Sequence, residues 1–482
     1  MSRLVVPLLV LLAAACRSDV PPDSGSDDVE ARIARVETHL PPTFTIRGEP
    51  VVYATIEQRM RELSVPGASV AVLNDGRIEW AKGYGYADAE ARRPVTANTL
   101  FQAASISKPV AALAALRLVE SGRIDLDGDV NQWLTSWQVP ETEFTATEKV
   151  TLRRLLTHTA GLTIHGFPGY GPGEEVPNTV GVLEGRGNTD PVVPFVVPGS
   201  RQIYSGGGYT IVQLLVSDVN GQPFADVMRE QVLEPIGMTR STYEQPLPDD
   251  RQEDAAIGYR PDGSRVDGNW HTYPEQAAAG LWTTPSDLAR YAMEVQHAAH
   301  GESDAVLSQA MAREMLSEQA TGQGLGPAFD PTGPAFSHGG SNEGYRSAFY
   351  AYVEGGRGVF VMTNSDNGGG LAGQIMMAVA EAYGWPNPAP EEKTAVQLDT
   401  ARLQRWAGRY RVPGAGITVD IGLERDSLRV HVPDGTVFTL VPQSDSTFFA
   451  LPQGFDARFA ARGDTAVVQM AGMTGFRVAG GE

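Results

Sequence analysis

Phe101-Gln-Ala-Ala-Ser105-Ile-Ser-Lys108-Pro109 runs without a break into Val110-Ala-Ala-Leu-Ala-Ala-Leu116-Arg-Leu-Val-Glu120. Of the 38 basic residues in the chain, only Lys82, Lys108, Lys149 and Lys393 are lysines, and only Lys108 has a serine three positions before it. Arginine keeps its proton at any ordinary pH, whereas a buried lysine can lose one. The apolar run predicts a helix from Ser105 to about Glu120, buried because it has almost no polar face. Pro109 is tolerated in its first turn and Gly122 is placed to end it. Positions three apart share a helix face. Lys108 can therefore reach the Ser105 hydroxyl, and both burial and the positive end of the helix dipole disfavour its charged form. This is the SxxK arrangement of a serine acyl-transfer enzyme, in which the amine takes the serine proton. Taken alone, SxxK arises by chance in many long chains.

Outward from this segment the pattern is mixed. Ala68–Leu73 and Arg77–Lys82 flank Asn74-Asp75-Gly76 and predict a hairpin. Helices are predicted over Glu30–His39 and Val52–Leu63 upstream. Residues 123 to about 330 read as helices and long loops, including a Gly/Pro-rich stretch from His165 to Gly199. Within this region Tyr209–Val219 is predicted helical, and another helix starts at Thr284-Pro285-Ser286-Asp287, with a hydroxyl cap and proline at its first position. Strands return at Tyr345–Val353 and Arg357–Thr363, and a helix at Gly370–Tyr383. Strands from both ends with helices between them imply one antiparallel sheet assembled from distant parts. After Trp385-Pro-Asn-Pro-Ala-Pro390, short β-like runs alternate with turn signals, as in a small antiparallel barrel or sandwich.

Length and charge narrow the function. A chain of 482 residues is long enough for two or three domains. The formal charge of −20, with no basic stripe, argues against nucleic acid as a partner. Arg3, the apolar run Leu4–Leu12 and small residues before Cys16 form an export signal too short to span a bilayer. Cut before Cys16, the only cysteine, it leaves a lipid-bearing residue; cleavage by ordinary signal peptidase is the alternative. A lone cysteine excludes an internal disulfide and a cysteine-rich metal site. The expected divisions are a signal over 1–16, a flexible tether over 17–45, a catalytic domain over 46–386, a linker over 387–399 and a β-domain over 400–482.

Two further motifs bear on chemistry. Tyr204-Ser205-Gly206 lies on a glycine-rich loop before a helix. Beside an ammonium, the phenol is expected to have a lowered pKa, to share the proton relay and to protonate the leaving group. His338-Gly339-Gly340-Ser341 precedes strand-like sequence, and paired glycines let substrate approach the backbone. A backbone N–H there and that of Ser105 could together form an oxyanion hole. Singly, Tyr204 reads as a core or rim tyrosine and His338 as a loop histidine. Asp125-Leu-Asp127-Gly-Asp129 lacks the glycine and glutamate of a calcium loop and reads as a turn. His158 reads as a structural hydrogen-bonder. Trp133, Trp137, Trp270 and Trp282 read as core, with Trp282 and Tyr345 as candidates for the cleft wall. No GxSxG elbow and no HExxH is present.

In this order the three motifs resemble the serine β-lactamase and penicillin-binding-protein superfamily, and its class C β-lactamase-like branch in particular. Pro66-Gly-Ala-Ser-Val-Ala-Val72, Leu155-Leu-Thr-His158-Thr-Ala-Gly161-Leu162, Ala279-Gly-Leu-Trp-Thr-Thr-Pro-Ser-Asp-Leu288 and Gly339-Gly-Ser-Asn-Glu-Gly344-Tyr345 extend the likeness over roughly residues 50 to 385. Leu403-Gln-Arg-Trp-Ala-Gly-Arg-Tyr410 resembles the lipocalin-like β-domain appended to many members.

The resemblance implies an α/β (α+β) fold: an antiparallel sheet flanked by helices, an all-helical subdomain and a small C-terminal barrel. It implies Ser105 as nucleophile, Lys108 as its base, Tyr204 as second acid/base, and Ser105 and Ser341 N–H groups as oxyanion donors, without metal or cofactor. His338 takes the place of the lysine usual in true β-lactamases; Gly206 stands where an amide-binding asparagine is often found. Gly206, Gly339 and Gly340 would border the substrate. Both departures tilt the expectation from β-lactams toward an ester, amide or peptide substrate. A covalent sensor or penicillin-binding protein that acylates without turnover is the alternative. The expected location is the bacterial cell envelope, lipid-anchored through Cys16 and facing the periplasm or exterior.

Overall fold

The computed structural model describes residues 24–386, 390–433, 435–451, 454–463 and 465–478. The export signal, Cys16 and the first part of the expected tether lie outside the described residues.

Seven strands form one antiparallel sheet in the spatial order Arg93–Pro94, Arg77–Asp88, Gly67–Asn74, Gly358–Thr363, Tyr345–Tyr352, Ala335–Asn342 and Ala328–Asp330. The expected hairpin at Asn74-Asp75-Gly76 joins two of them, and strands from the two ends of the chain meet where Val70 pairs with Val361. Side chains alternate across a strand. Ala68, Val70 and Val72 accordingly face one apolar core and Ala71 and Leu73 the other, so Gly67–Asn74 is buried on both faces. Helices Ser24–Thr38 and Gly368–Tyr383 cover the first face through Val36, Leu371 and Ile375. Helix Pro285–His300 and the helical subdomain cover the second.

The central helix spans Ser107–Glu120, and every residue from Ser107 to Leu116 is buried. Its apolar sequence allows it to be surrounded by helices and sheet, and Gly122, at a φ of +68°, ends it. Ser105 is not in the helix proper as expected. It lies in a 3₁₀ turn, Ala104–Ile106, that leads into it. Ala104 has a φ of +51°, a conformation costly for a residue with a Cβ.

Other boundaries shift for local reasons. The first helix begins at Ser24 rather than Glu30 and occupies much of the stretch expected to be a tether, burying Ile33 and Val36. The next spans only Ile56–Glu62, because Thr55 and Gln58 form a capping box that fixes its start. The helix after Tyr204 begins at Gly206, capped by Ser205, not at Tyr209. The helix at Thr284 matches its capping signal: the Thr284 hydroxyl accepts the Asp287 N–H at 3.2 Å and Pro285 occupies the first turn. Asp125 and Asp129 accept backbone N–H groups of their own turn and Asp127 pairs with Arg153, as the turn reading requires.

Beyond the linker, eight strands from Gly408–Val412 to Met473–Val478 close into a barrel, the first pairing with the last. Its interior is filled by Tyr410, Phe448 and Phe459, with Trp406 stacked on Phe459 at 5.1 Å. The expected linker contains a strand of its own. Glu391–Lys393 pairs with Phe44–Ile46, and Phe44 packs edge-on against Phe449 of the barrel. Lys393, 2% exposed, bonds both Glu391 and Asp456 at 2.9 Å.

Removing the cap of Pro285–His300 tests how much this helix braces the sheet. Thr284→Ala is expected to cost about 1 kcal/mol, read as a lower midpoint in chemical denaturation of the catalytic unit.

Candidate active site

Lys108 is the second residue of the central helix and is 2% exposed. Its Nζ lies 3.0 Å from Ser105 Oγ and 2.7 Å from the Ala278 carbonyl oxygen. It also stands 5.0 Å from the centre of the Tyr204 ring and 5.8 Å from that of Tyr209. No carboxylate offsets the loss of water, and burial lowers its pKa to about 7. The contact between Lys108 and Ser105 expected from their spacing is present.

The hydroxyls of Tyr204 and Ser105 are hydrogen-bonded, and Tyr204 lies in the extended segment just before its helix. Its pKa is not lowered as expected. Burial of the hydroxyl end pushes it up to about 12, with the bond to Ser105 pulling the other way, although 39% of the residue as a whole is exposed. Desolvation of the phenol outweighs the other effects on it, and Lys108, with a pKa of about 7, is only partly charged. The Tyr204 segment is fixed from below by His158, whose Nδ1 accepts the Ser205 N–H at 3.2 Å and whose ring lies 4.3 Å from that of Tyr204. Burial first, then Lys108 and His338, drive the His158 pKa far below its ordinary value. Its role is structural, as the sequence suggested.

The third motif is within a strand, Ala335–Asn342, rather than just before one. His338 presents its ring 6.4 Å from that of Tyr204, and its Nδ1 donates to the Gly339 carbonyl at 2.6 Å. Burial, then the neighbouring Lys108, lowers its pKa to about 4, so the ring is neutral near pH 7. The two glycines differ. Gly339 has room for a side chain, whereas a methyl group on Gly340 would overlap the Ala103 carbonyl oxygen and the Ser347 hydroxyl. Ser347 Oγ donates to that same carbonyl at 2.9 Å. Gly340 therefore lets the strand close onto the turn that carries Ser105. Ser341 follows at the exposed edge. Trp282 and Tyr345 are fully buried and contribute to the core, not to a cleft wall.

Several participants carry no signal in the sequence. The Ala278 carbonyl that holds Lys108 belongs to a four-residue helix, Gln276–Ala279. Ser107 accepts the Leu281 N–H at 2.9 Å and donates to the Ala104 carbonyl at 2.6 Å, tying that helix to the nucleophile turn. Asn342 donates to Gln102 at 2.7 Å and to the Ala279 carbonyl at 3.1 Å. Glu275 is buried with neither carboxyl oxygen hydrogen-bonded, and burial raises its pKa to about 7.

A desolvated lysine touching a serine at the mouth of a buried helix, on a sheet with a helical subdomain, defines the class of serine hydrolases that use lysine in place of histidine. The chain belongs to the Beta-lactamase family, whose profile matches residues 52–383. It is 23% identical to penicillin-binding protein 4* of Bacillus subtilis (strain 168), over 86% of this chain and 94% of that one. It is 30% identical to esterase EstB of Burkholderia gladioli, over 57% of this chain and 77% of that one. In fold it is similar to the octameric penicillin-binding protein homologue from Pyrococcus abyssi, with a TM-score of 0.57 and 23% identity, covering 88% of this chain and 98% of that one.

The overlap at Gly340 yields a direct test. Gly340→Ala is expected to leave the far-UV circular dichroism spectrum unchanged while slowing acylation of Ser105 by about 10²-fold, because the strand and the nucleophile turn must part.

Proposed function

We propose that the protein hydrolyses an ester or amide bond through an acyl-serine intermediate. The observation that carries this reading is the 3.0 Å contact between Ser105 Oγ and a lysine whose pKa burial has brought to about 7. The neutral amine accepts the proton as Ser105 Oγ attacks the carbonyl carbon. The backbone N–H groups of Ser105 and Ser341 are assigned to the developing oxyanion. Tyr204, bonded to Ser105 and protonated throughout the working range, is suited to pass a proton to the leaving oxygen or nitrogen, and Lys108 then restores it. Water then attacks the acyl carbonyl carbon and gives its proton to Lys108; the bond to Ser105 Oγ breaks, Ser105 Oγ regains a proton through the same relay, and the acid product departs. The neutral His338 offers little attraction to a substrate carboxylate, which favours a plain ester or amide over a β-lactam. The export motif ending at Cys16 supports a lipid-anchored location in the cell envelope, facing the periplasm or exterior. Loss of radiolabelled palmitate from a Cys16→Ala protein would be the sign of it.

Ser105→Ala is expected to reduce hydrolysis of p-nitrophenyl butyrate by about 10⁴-fold, and mass spectrometry should find the acyl adduct on Ser105 in the parent protein. Full activity in the alanine protein sinks the proposal; an adduct that never clears marks a penicillin-binding or sensor role instead.

The pH profile follows from the amine. Lys108 must be unprotonated, so kcat/KM should rise with pH along a limb centred near 7. Lys108→Arg, whose guanidinium cannot deprotonate, should lose about 10²- to 10⁴-fold. Glu275→Gln should keep the limb, which separates the lysine from the other buried group that titrates there.

A further inference from the structure

Gly206 is the third residue of the Tyr204-Ser205-Gly206 turn and is buried. A side chain there would require its neighbour Phe167 to move aside. A Cβ built on Gly206 would stand 2.7 Å from Cε2 of Phe167 and 3.3 Å from the His165 carbonyl oxygen. The Phe167 ring thus lies directly against the backbone next to Tyr204, in the space that a side chain at position 206 would fill.

The ring is held there. Ser205 Oγ donates to the Thr163 carbonyl at 3.0 Å and the Ile164 carbonyl at 3.2 Å. The Gly207 N–H donates to the Ile164 carbonyl at 3.1 Å, and the His165 Nδ1 donates to the Tyr204 carbonyl at 2.5 Å. Residues 163–165, just ahead of Phe167, are therefore tied to the turn that carries Tyr204. Phe167 itself is only half-buried, packed on one side against the main core. The polar side chains near the nucleophile are already engaged. Gln102 and Asn342, both almost fully buried, bond each other and the His271 and Ala279 carbonyls. Arg346 pairs with Asp366 at 2.7 Å.

We propose that Phe167 is a specificity-determining residue: its ring, lying against Gly206 beside Tyr204, forms an apolar wall that selects substrates with aliphatic or aromatic acyl chains. This assignment rests on the hydrolase reading above and names the acyl class that site takes. Apolar contact strengthens with each methylene buried against the ring. A polar or charged acyl side chain would lose its water at Phe167 without gaining a hydrogen bond there.

The test is the ratio of kcat/KM for p-nitrophenyl butyrate to that for p-nitrophenyl acetate, in the full-length protein. The parent should favour butyrate. Phe167→Ala should lower the ratio by about fivefold while hydrolysis of the acetate persists, which also reports that the variant is folded. Phe167→Leu, still apolar, should hold the ratio within about twofold of the parent, and Phe167→Gln, of similar length but polar, should lower it as alanine does. The Leu and Gln proteins decide the matter if the alanine protein does not fold. An unchanged ratio in the Ala and Gln proteins, with both esters turned over, overturns the role of Phe167 and leaves the hydrolase reading standing. Absence of Ser105-dependent acylation or turnover of either ester in the parent overturns the hydrolase reading itself, and the role of Phe167 with it.

Discussion

The structure is arranged around one costly contact: a lysine amine taken out of water and held against a serine hydroxyl. An ammonium in that position lacks a carboxylate partner, so the protein stabilises the neutral amine instead. That outcome demands a dry environment, which explains why the first three turns of the central helix are almost wholly apolar and buried among helices, with the sheet meeting the turn that leads into it. It also explains the Ala278 carbonyl, which accepts one amine hydrogen while leaving the nitrogen lone pair free for the serine proton.

Bringing the serine to that amine strains the backbone. Ala104 adopts a left-handed conformation immediately before Ser105, and such a residue persists only where its surroundings over-determine it. Here they do. Ser107 and Ser347 tie the carbonyls of Ala104 and Ala103, the Ala103 N–H donates to Leu281, and Gly340 allows the adjoining strand to press on the turn. Three segments distant in the chain, around Leu281, Gly340 and Ser347, thus converge on the turn at Ala103 and Ala104.

The sequence disclosed this architecture unevenly. SxxK on an apolar run, the asparagine–glycine-type hairpin and the proline-capped helix at Thr284 were legible because each is a local rule acting on neighbouring residues. The pairing of Ser105 with Lys108 followed from helical spacing, even though the turn proved to be 3₁₀. What stayed hidden depends on distant partners. Nothing in the letters marks the Ala278 carbonyl as a lysine ligand, since any residue has that group. The Tyr204 pKa runs opposite to the expectation from an ammonium neighbour because the burial that lowers the Lys108 pKa also surrounds the phenol. The helix over Ser24–Thr38 was hidden because its polar, acidic start reads as a tether until the sheet face that covers Ile33 and Val36 is known.

The two proton-handling groups end with pKa values near 7 and near 12, both set chiefly by burial. Desolvation acts in opposite directions on them because only one is charged when protonated: it releases the proton of an amine and retains that of a phenol. Burial of the two groups therefore produces a base and an acid near neutral pH. His338 obeys the same rule, stripped of charge by burial and by its proximity to Lys108. Near pH 7 Tyr204 and His338 are neutral and Lys108 is only partly protonated, so the site presents little fixed charge to an ionised substrate group. On the proposed reading, recognition then rests on shape and apolar contact, while the assigned backbone N–H groups meet the charge that develops only as the carbonyl is attacked.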